Sequence, residues 1–275
     1  MDAPSSDAAV GAERSRDRVQ SIERAVAVLR VFDGQQTQLS ASDIATRAEL
    51  PRPVVRRILL TFEHLGYVRG YKGLWRLTPR ILELGAGYFG AASLPEIARP
   101  AMDDVVEQTK ETCSLAVLSG DDVIHVARVE DQRPLPGAVR VGTTLPAFAT
   151  AVGKVLLADL TDAEFETYLA RAELERHTPR TLTDADALRA RIGVARQRGY
   201  DVSIEELNPG MVAAAVPIVV SGSAVGALGV SSTTVRQTEQ SLIRDVVPVL
   251  RREAERIARG YLGANPHLYR AENGR

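Results

Sequence analysis

The sequence predicts an α+β chain in two parts: a small helical head closed by a β-hairpin, and a larger body whose mainly antiparallel sheet is flanked by helices. Three observations predict it. Between Ser40 and Arg76 two short helical patterns meet across a turn and run into a hairpin pattern. From Thr112 onward strand runs arrive in antiparallel series, with helical segments between and after them. A chain of 275 residues, 45% hydrophobic and 25% charged, is long and apolar enough for two cores.

Residues 1–18 are small, polar and charged without an apolar period, the composition of a disordered arm. Ser21 reads as the cap of a first helix whose Ile22, Ala25, Val26, Leu29 and Phe32 form one stripe, and Asp33-Gly34-Gln35-Gln36 supplies the turn that follows. Ser40 and Asp43 have the spacing of a capping box, in which the hydroxyl accepts from a free helical N–H and the carboxylate reaches back. Ile44, Ala45 and Ala48 give that helix an apolar face until Glu49-Leu50-Pro51 interrupts it. A second helix starts near Pro51 or Pro53, with Val55, Ile58, Leu59, Phe62 and Leu65 on one side and Arg52, Arg56 and Arg57 on the other. Gly66 ends it, and Tyr67-Val68-Arg69 and Leu74-Trp75-Arg76-Leu77 flank Gly70-Tyr71-Lys72-Gly73 as a hairpin does. Residues 19–78 therefore read as a winged helix-turn-helix.

Charge is distributed to match. Seven basic residues lie between Pro51 and Arg80 against one acidic residue, Glu63, although the whole chain has a formal charge of −1. The first 80 residues carry +4 and the remainder −5, which points to a polyanion-binding head on a body with no affinity for nucleic acid. The bland alternative is a solvated basic face on an ordinary helical pair.

After the wing, Thr78-Pro79 opens a helix that weakens at Gly85, Gly87 and Gly90, read as a linker helix over 79–94. Gly85 to Gly90 also matches G-x-G-x-x-G, with Asp103 or Asp104 downstream. It follows a capped helix rather than a strand, so small residues for close helix contact are the favoured reading. The body is expected over 95–264, with a tail at 265–275. It opens with a helix from Pro95, followed by strands at 112–119 and 123–129 around Gly120-Asp121-Asp122, and a further strand at 139–141. Leu145-Pro146 leads into a helix at 149–160, and Thr161 with Glu164 and Thr183 with Asp186 read as capping boxes. Strands at 200–204, 211–220 and 224–231 precede a final helix over 239–262.

No apolar run spans a bilayer and no signal peptide is evident, so a cytoplasmic location is expected, away from any membrane. The single cysteine, Cys113, lies in an apolar strand and reads as a buried structural thiol. The four histidines are scattered, and neither a metal site nor a cofactor is expected. No nucleophile, zinc, P-loop or paired-carboxylate motif falls on a suitable element, and Gly153-Lys154 lacks the other residues of a P-loop. The chain is not expected to be an enzyme.

Three blocks resemble the IclR-type transcriptional regulators: SASDIATRAELPRPVVRRILLTFEHLGYV, VGTTLPAFATAVGKVLLA, and GYDVSIEELNPGMVAAAVPI followed by VGALGVSS. The match runs from Val19 to Leu262, and variants such as ETCSLAVLSGDDVIHVARV look most like the subgroup controlling the β-ketoadipate pathway and aromatic-acid catabolism. The resemblance implies a winged helix-turn-helix on a GAF-like effector-binding domain, acting on double-stranded operator DNA as a homodimer or dimer of dimers. It assigns DNA contact to Ser40, Arg52, Pro53, Arg56, Arg57, Arg69, Tyr71 and Lys72, with Pro53 and Glu49 standing where the family commonly has Ser and Gly. It places a small organic acid, better aromatic than a keto acid, against Leu145, Ala149, Thr150, Ala151, Val152, Ser203, Glu205, Ala213, Gly229 and Ser231. Ala213 and Gly229 replace a cysteine and a serine of keto-acid binders, which implies a larger pocket, and Arg128, Arg133 or Arg140 could neutralise the acid.

The reading is a ligand-responsive regulator. Its rivals are an architectural DNA-binding oligomer without effector, predicting no small-molecule response, and an enzyme acting on a small acid, predicting turnover of the bound acid.

Overall fold

The computed structural model describes residues 18–32, 36–90, 92–132 and 139–266. Residues 1–17 of the arm expected at 1–18, most of the turn at 33–36, Arg133 and most of the tail lie outside them. The chain divides in sequence between Tyr88 and Phe89 into two compact units.

In the first unit, helix α1 (Gln20–Arg30) starts after Val19 with no side-chain cap, so Ser21 lies inside it. A short strand β1 (Leu39–Ser40) leads into helix α2 (Ala41–Arg47), where the box forms as its spacing requires: Ser40 Oγ accepts from Asp43 N–H and the Asp43 carboxylate accepts from Ser40 N–H. That bonding, led by the Ser40 hydroxyl, holds the Asp43 carboxyl below its usual range. The chain turns through Glu49 at a φ of 52°, a left-handed conformation that a side chain makes costly. Helix α3 (Arg52–His64) follows from Pro51, with Val55 and Leu59 buried against Val28, Ile44 and Val68.

Strands β2 (Val68–Tyr71) and β3 (Leu74–Leu77) form the wing, and β1 pairs with β3 to give the order β1-β3-β2. The hairpin loop is two residues, not the four expected from Gly70 to Gly73. Lys72 and Gly73 adopt φ values of 51° and 80°, the left-handed pair that a two-residue connection of twisted strands needs. Gly70 belongs to the ladder opposite Trp75, whose ring lies 3.1 Å from where a Cβ would stand. The linker also differs from expectation: Thr78 caps a six-residue 3-10 turn, Pro79–Leu84, that stops at Gly85.

The second unit is built on a six-stranded antiparallel sheet. Its strands are β4 (Thr112–Ser119), β5 (Asp122–Val129), β6 (Thr144–Pro146), β7 (Asp201–Ile204), β8 (Met211–Val220) and β9 (Ser223–Thr233), in the order β6-β5-β4-β9-β8-β7. No strand forms at 139–141; the pairing to β5 is made by Thr144–Pro146 instead. Helices α4 (Leu94–Thr109) and, near the C-terminus, Val247–Ala264 cover one face, where Met102, Val105 and Leu250 pack on Cys113, Leu115, Leu228 and Val230. Cys113 is fully buried, and burial pushes its thiol up.

The other face is covered by a 3-10 turn, Ala147–Ala149, and by helices α5 (Ala151–Leu157), α6 (Asp162–Arg171) and α7 (Ala185–Arg198). Thr161 and Glu164 form their box, whereas α7 is capped by Asp184, and Thr183 accepts from Arg176 instead. The last helical stretch begins at Glu239–Ser241, widens to a π turn at Leu242–Val246, and continues as α8 (Val247–Ala264). Among the described residues no helix is long and apolar enough to cross a membrane.

Candidate functional site

Antiparallel register lays two rows of residues side by side on the face of the sheet under α5. One row runs Thr112, Ser231, Ala213, Ser203 across β4, β9, β8 and β7. The next runs Arg128, Ser114, Gly229, Ala215, Asp201 from β5 to β7. Small side chains dominate both rows and leave space above the sheet that the helical layer fills only in part. The result is a cavity of about 90 Å³ between this floor and the residues from Ala149 to Val152 at the start of α5. Leu145, Val139, Met211 and the loop residues Glu206, Leu207 and Asn208 supply further wall, and Ser114, Thr150, Ser203 and Ser231 supply hydroxyls. Such a combination of apolar wall and few polar groups suits a small organic molecule.

Gly153 fixes how α5 meets the cavity. A Cβ there would lie 2.1 Å from the Ala147 carbonyl oxygen, so only glycine lets the helix start so close to the 3-10 turn. Thr150 caps the helix by accepting from Gly153 N–H. The next residue, Lys154, is fully buried and donates to Glu206 Oε1 at 2.6 Å and to Asp201 Oδ2 at 3.4 Å. Asp201 Oδ1 also accepts from Arg191 Nε at 2.6 Å, and Arg191 donates to the Val202 carbonyl. Gly153-Lys154 is thus a packing contact followed by a buried ion pair. The pair ties α5 to β7 and to the loop beyond it.

His125, also on the cavity, is buried, and burial lowers its imidazole to about 4, so it is neutral at pH 7. Its Nδ1 lies 3.4 Å from the Thr143 carbonyl, an acceptor only; the proton therefore sits on Nδ1 and Nε2 is an acceptor. Its position depends on a bulge. Leu115 pairs with Ala127 but Ala116 pairs with His125, so both Val126 and Ala127 face the core under α4. The extra residue turns His125 to the cavity side.

Leu145, Ala149, Thr150, Ala151, Val152, Ser203, Ala213, Gly229 and Ser231 line the cavity. Glu205, Arg128 and Arg140 do not. Continued alternation after Ser203 would put Glu205 on the floor, but β7 stops at Ile204 and Glu205 takes a φ of 55°. Its carboxylate accepts from Gly210 N–H and pairs with Arg180, and Glu206 takes the cavity position. Arg128 stands one residue behind the wall, donating to Ser114 Oγ at 3.3 Å and pairing with Glu130. Arg140 is exposed, and its backbone N–H donates to Thr143.

Ser114, His125, Glu206 and Asn208 are polar wall residues that sequence reasoning missed. Period-2 alternation on β4, with Ser114 between buried Cys113 and Leu115, was the available signal for the first. The enlargement expected at Gly229 is also corrected: a Cβ there would meet Val152 Cγ1 at 2.7 Å, so Val152 fills that room.

In the first unit Arg52, Pro53, Arg56 and Arg57 are exposed on α3, and Arg69, Tyr71 and Lys72 are exposed on the wing, with Lys72 Nζ 5.4 Å from the Tyr71 ring centre. Ser40 is half-buried and its hydroxyl is engaged in the cap. Arg69 and Arg76 are direct cross-strand partners, both exposed. Like charges opposite one another destabilise a ladder unless an anion lies between them. Glu63, the one acid of this stretch, is turned inward and accepts from Gly70 N–H.

Comparison with known proteins finds a family match in each of the two units. Residues 21–70 match the model of the IclR helix-turn-helix domain, and residues 86–259 match that of the bacterial transcriptional regulator IclR C-terminal region. The chain is 36% identical to the Pca regulon regulatory protein of Pseudomonas putida over 85% of this chain and 81% of that one. It is 33% identical to the p-hydroxybenzoate hydroxylase transcriptional activator of Acinetobacter baylyi, over 89% and 92%. A crystal structure of an IclR homologue from Microbacterium hydrocarbonoxydans complexed with 4-hydroxybenzoate superposes with a TM-score of 0.76, at 30% identity over 88% of this chain and 99% of that one. The winged head, the cavity-bearing sheet and these matches place the chain in the IclR family of bacterial transcriptional regulators, as a ligand-responsive, DNA-binding member.

Proposed function

We propose that the effector of this regulator is an aromatic carboxylic acid, held in the cavity between the sheet and α5. The observation that carries the reading is the combination of apolar wall, four hydroxyls and small floor residues in a space of about 90 Å³. Similarity to a homologue crystallised with 4-hydroxybenzoate supports it. Operator contact falls to Arg52, Pro53, Arg56 and Arg57 of α3 and to Arg69, Tyr71, Lys72 and Arg76 of the wing, since arginine's planar fork addresses guanine edges or two phosphate oxygens. The protein acts as a homodimer or dimer of dimers. The effector changes operator affinity by binding more tightly to one arrangement of the assembly than to the other.

Thermal unfolding against a panel of aromatic carboxylates and short keto and hydroxy acids tests it. A ligand at about 100 times its dissociation constant stabilises the native state by about 2.7 kcal/mol. The expected result is a raised Tm with one or a few aromatic acids only. A shift confined to keto acids, or no shift with any acid, would overturn the reading.

A further inference from the structure

Glu206 holds a carboxylate oxygen that no described residue satisfies. The residue is 7% exposed and lines the cavity, and while Oε1 accepts from Lys154, Oε2 is buried without a hydrogen-bond partner among the described residues. The neighbouring cations are already directed elsewhere, since Arg191 serves Asp201 and the Val202 carbonyl. A buried carboxylate oxygen is a strong acceptor, and leaving it bare is costly.

The opposite side of the cavity has the complementary character. Ser114 Oγ accepts from Arg128 and so keeps its own proton to donate. Its strand β4 stands three strand spacings from β7, the strand that runs into the loop carrying Glu206, so Ser114 and Glu206 lie on opposite sides of the cavity. An anionic carboxylate is repelled by Glu206 and drawn toward Ser114 and the guanidinium behind it. The far end of the ligand must then bring a donor.

We propose that Glu206 determines specificity for hydroxylated aromatic acids: the ligand's phenolic hydroxyl donates to Oε2, while its carboxylate lies at the Ser114 end. A ring hydroxyl is a stronger donor than a ring amine, and a ring without either leaves Oε2 unpaired. The inference rests on the aromatic-acid reading above and adds to it the polarity of the ligand in the cavity and the residue that reads its second substituent.

The test is calorimetric titration of wild type and Glu206→Gln with 3- and 4-hydroxybenzoate and the matching fluorobenzoates, whose fluorine has nearly the size of a hydroxyl but no proton to donate. Wild type is expected to bind one hydroxybenzoate about tenfold or more tighter than its fluoro partner, because hydrogen bonds to charged groups are the strong ones. In Glu206→Gln, where Lys154 keeps a carbonyl to donate to and the cavity gains an N–H, that ratio should fall to about one, since the lost repulsion acts on the carboxylate of both acids alike. Equal wild-type affinities for the pair, or a ratio that survives in Glu206→Gln, would overturn this inference and leave the aromatic-acid reading standing. Absence of binding by all four acids would overturn this inference, whereas the aromatic-acid reading falls only if the wider panel of aromatic carboxylates also gives no shift. Should Glu206→Gln fail to fold, the crystal structure of wild type with its hydroxybenzoate decides. A hydroxyl within about 3.2 Å of Oε2 is expected, and a water there with the hydroxyl elsewhere would overturn the proposal.

Discussion

His125 couples the cavity to pH through its burial. Its imidazole protonates near 6.5 when the chain is unfolded but only at about 4 in the folded protein. The unfolded state therefore takes up the proton first, and stability that is complete above pH 6.5 is lost as pH falls toward 4. The full loss amounts to about 3 kcal/mol. Urea unfolding at pH 7.5, 5.5 and 4.0 should show this decline, and His125→Gln should remove most of it. Glu49 raises a different residue-scale issue, because a left-handed backbone there carries a side chain where glycine fits without strain. Glu49→Gly should stabilise the head by about 1 kcal/mol, read as a higher urea midpoint of its transition with unchanged slope.

At the scale of elements, α3 and the wing present cations that face one another or face outward, and their contributions to operator binding can be separated. Arg56→Ala should weaken operator binding by about 1–3 kcal/mol while leaving acid affinity unchanged, measured by anisotropy and calorimetry. If Arg69 and Arg76 contact phosphates, removing both should lower the slope of log affinity against log salt by up to about 2, since each released counterion contributes about 0.9. The head elements were legible because their signals are local: Ser40 and Asp43 need only each other, and the stripe of α3 needs only its own period. Gly70 misled because a glycine at a turn and a glycine under a Trp ring look alike until Trp75 is placed. The 3-10 turn at 79–84 misled similarly, since its cap and proline are those of a helix start and the glycines that end it lie six residues on.

For the molecule as a whole, Lys154 is the tie between the helical layer and the sheet. Lys154→Met should cost about 3–5 kcal/mol in urea unfolding, because it leaves Glu206 charged and unpaired, and adding Glu206→Gln should recover part of that loss. Sequence alone could name the small residues of the cavity floor only through family resemblance. It could not name Glu206 or His125, which reach the cavity through a left-handed residue at 205 and an extra residue in β5. Both are breaks in period that tertiary pairing decides. The contact between Val152 and the space above Gly229 carries a consequence for evolution of ligand range. A serine at 229 and a valine at 152 cannot coexist without rearrangement, so the effect of either substitution depends on the other. Retargeting this regulator is an epistatic step, and a library that varies one position at a time will miss the sequences that accept a differently shaped acid.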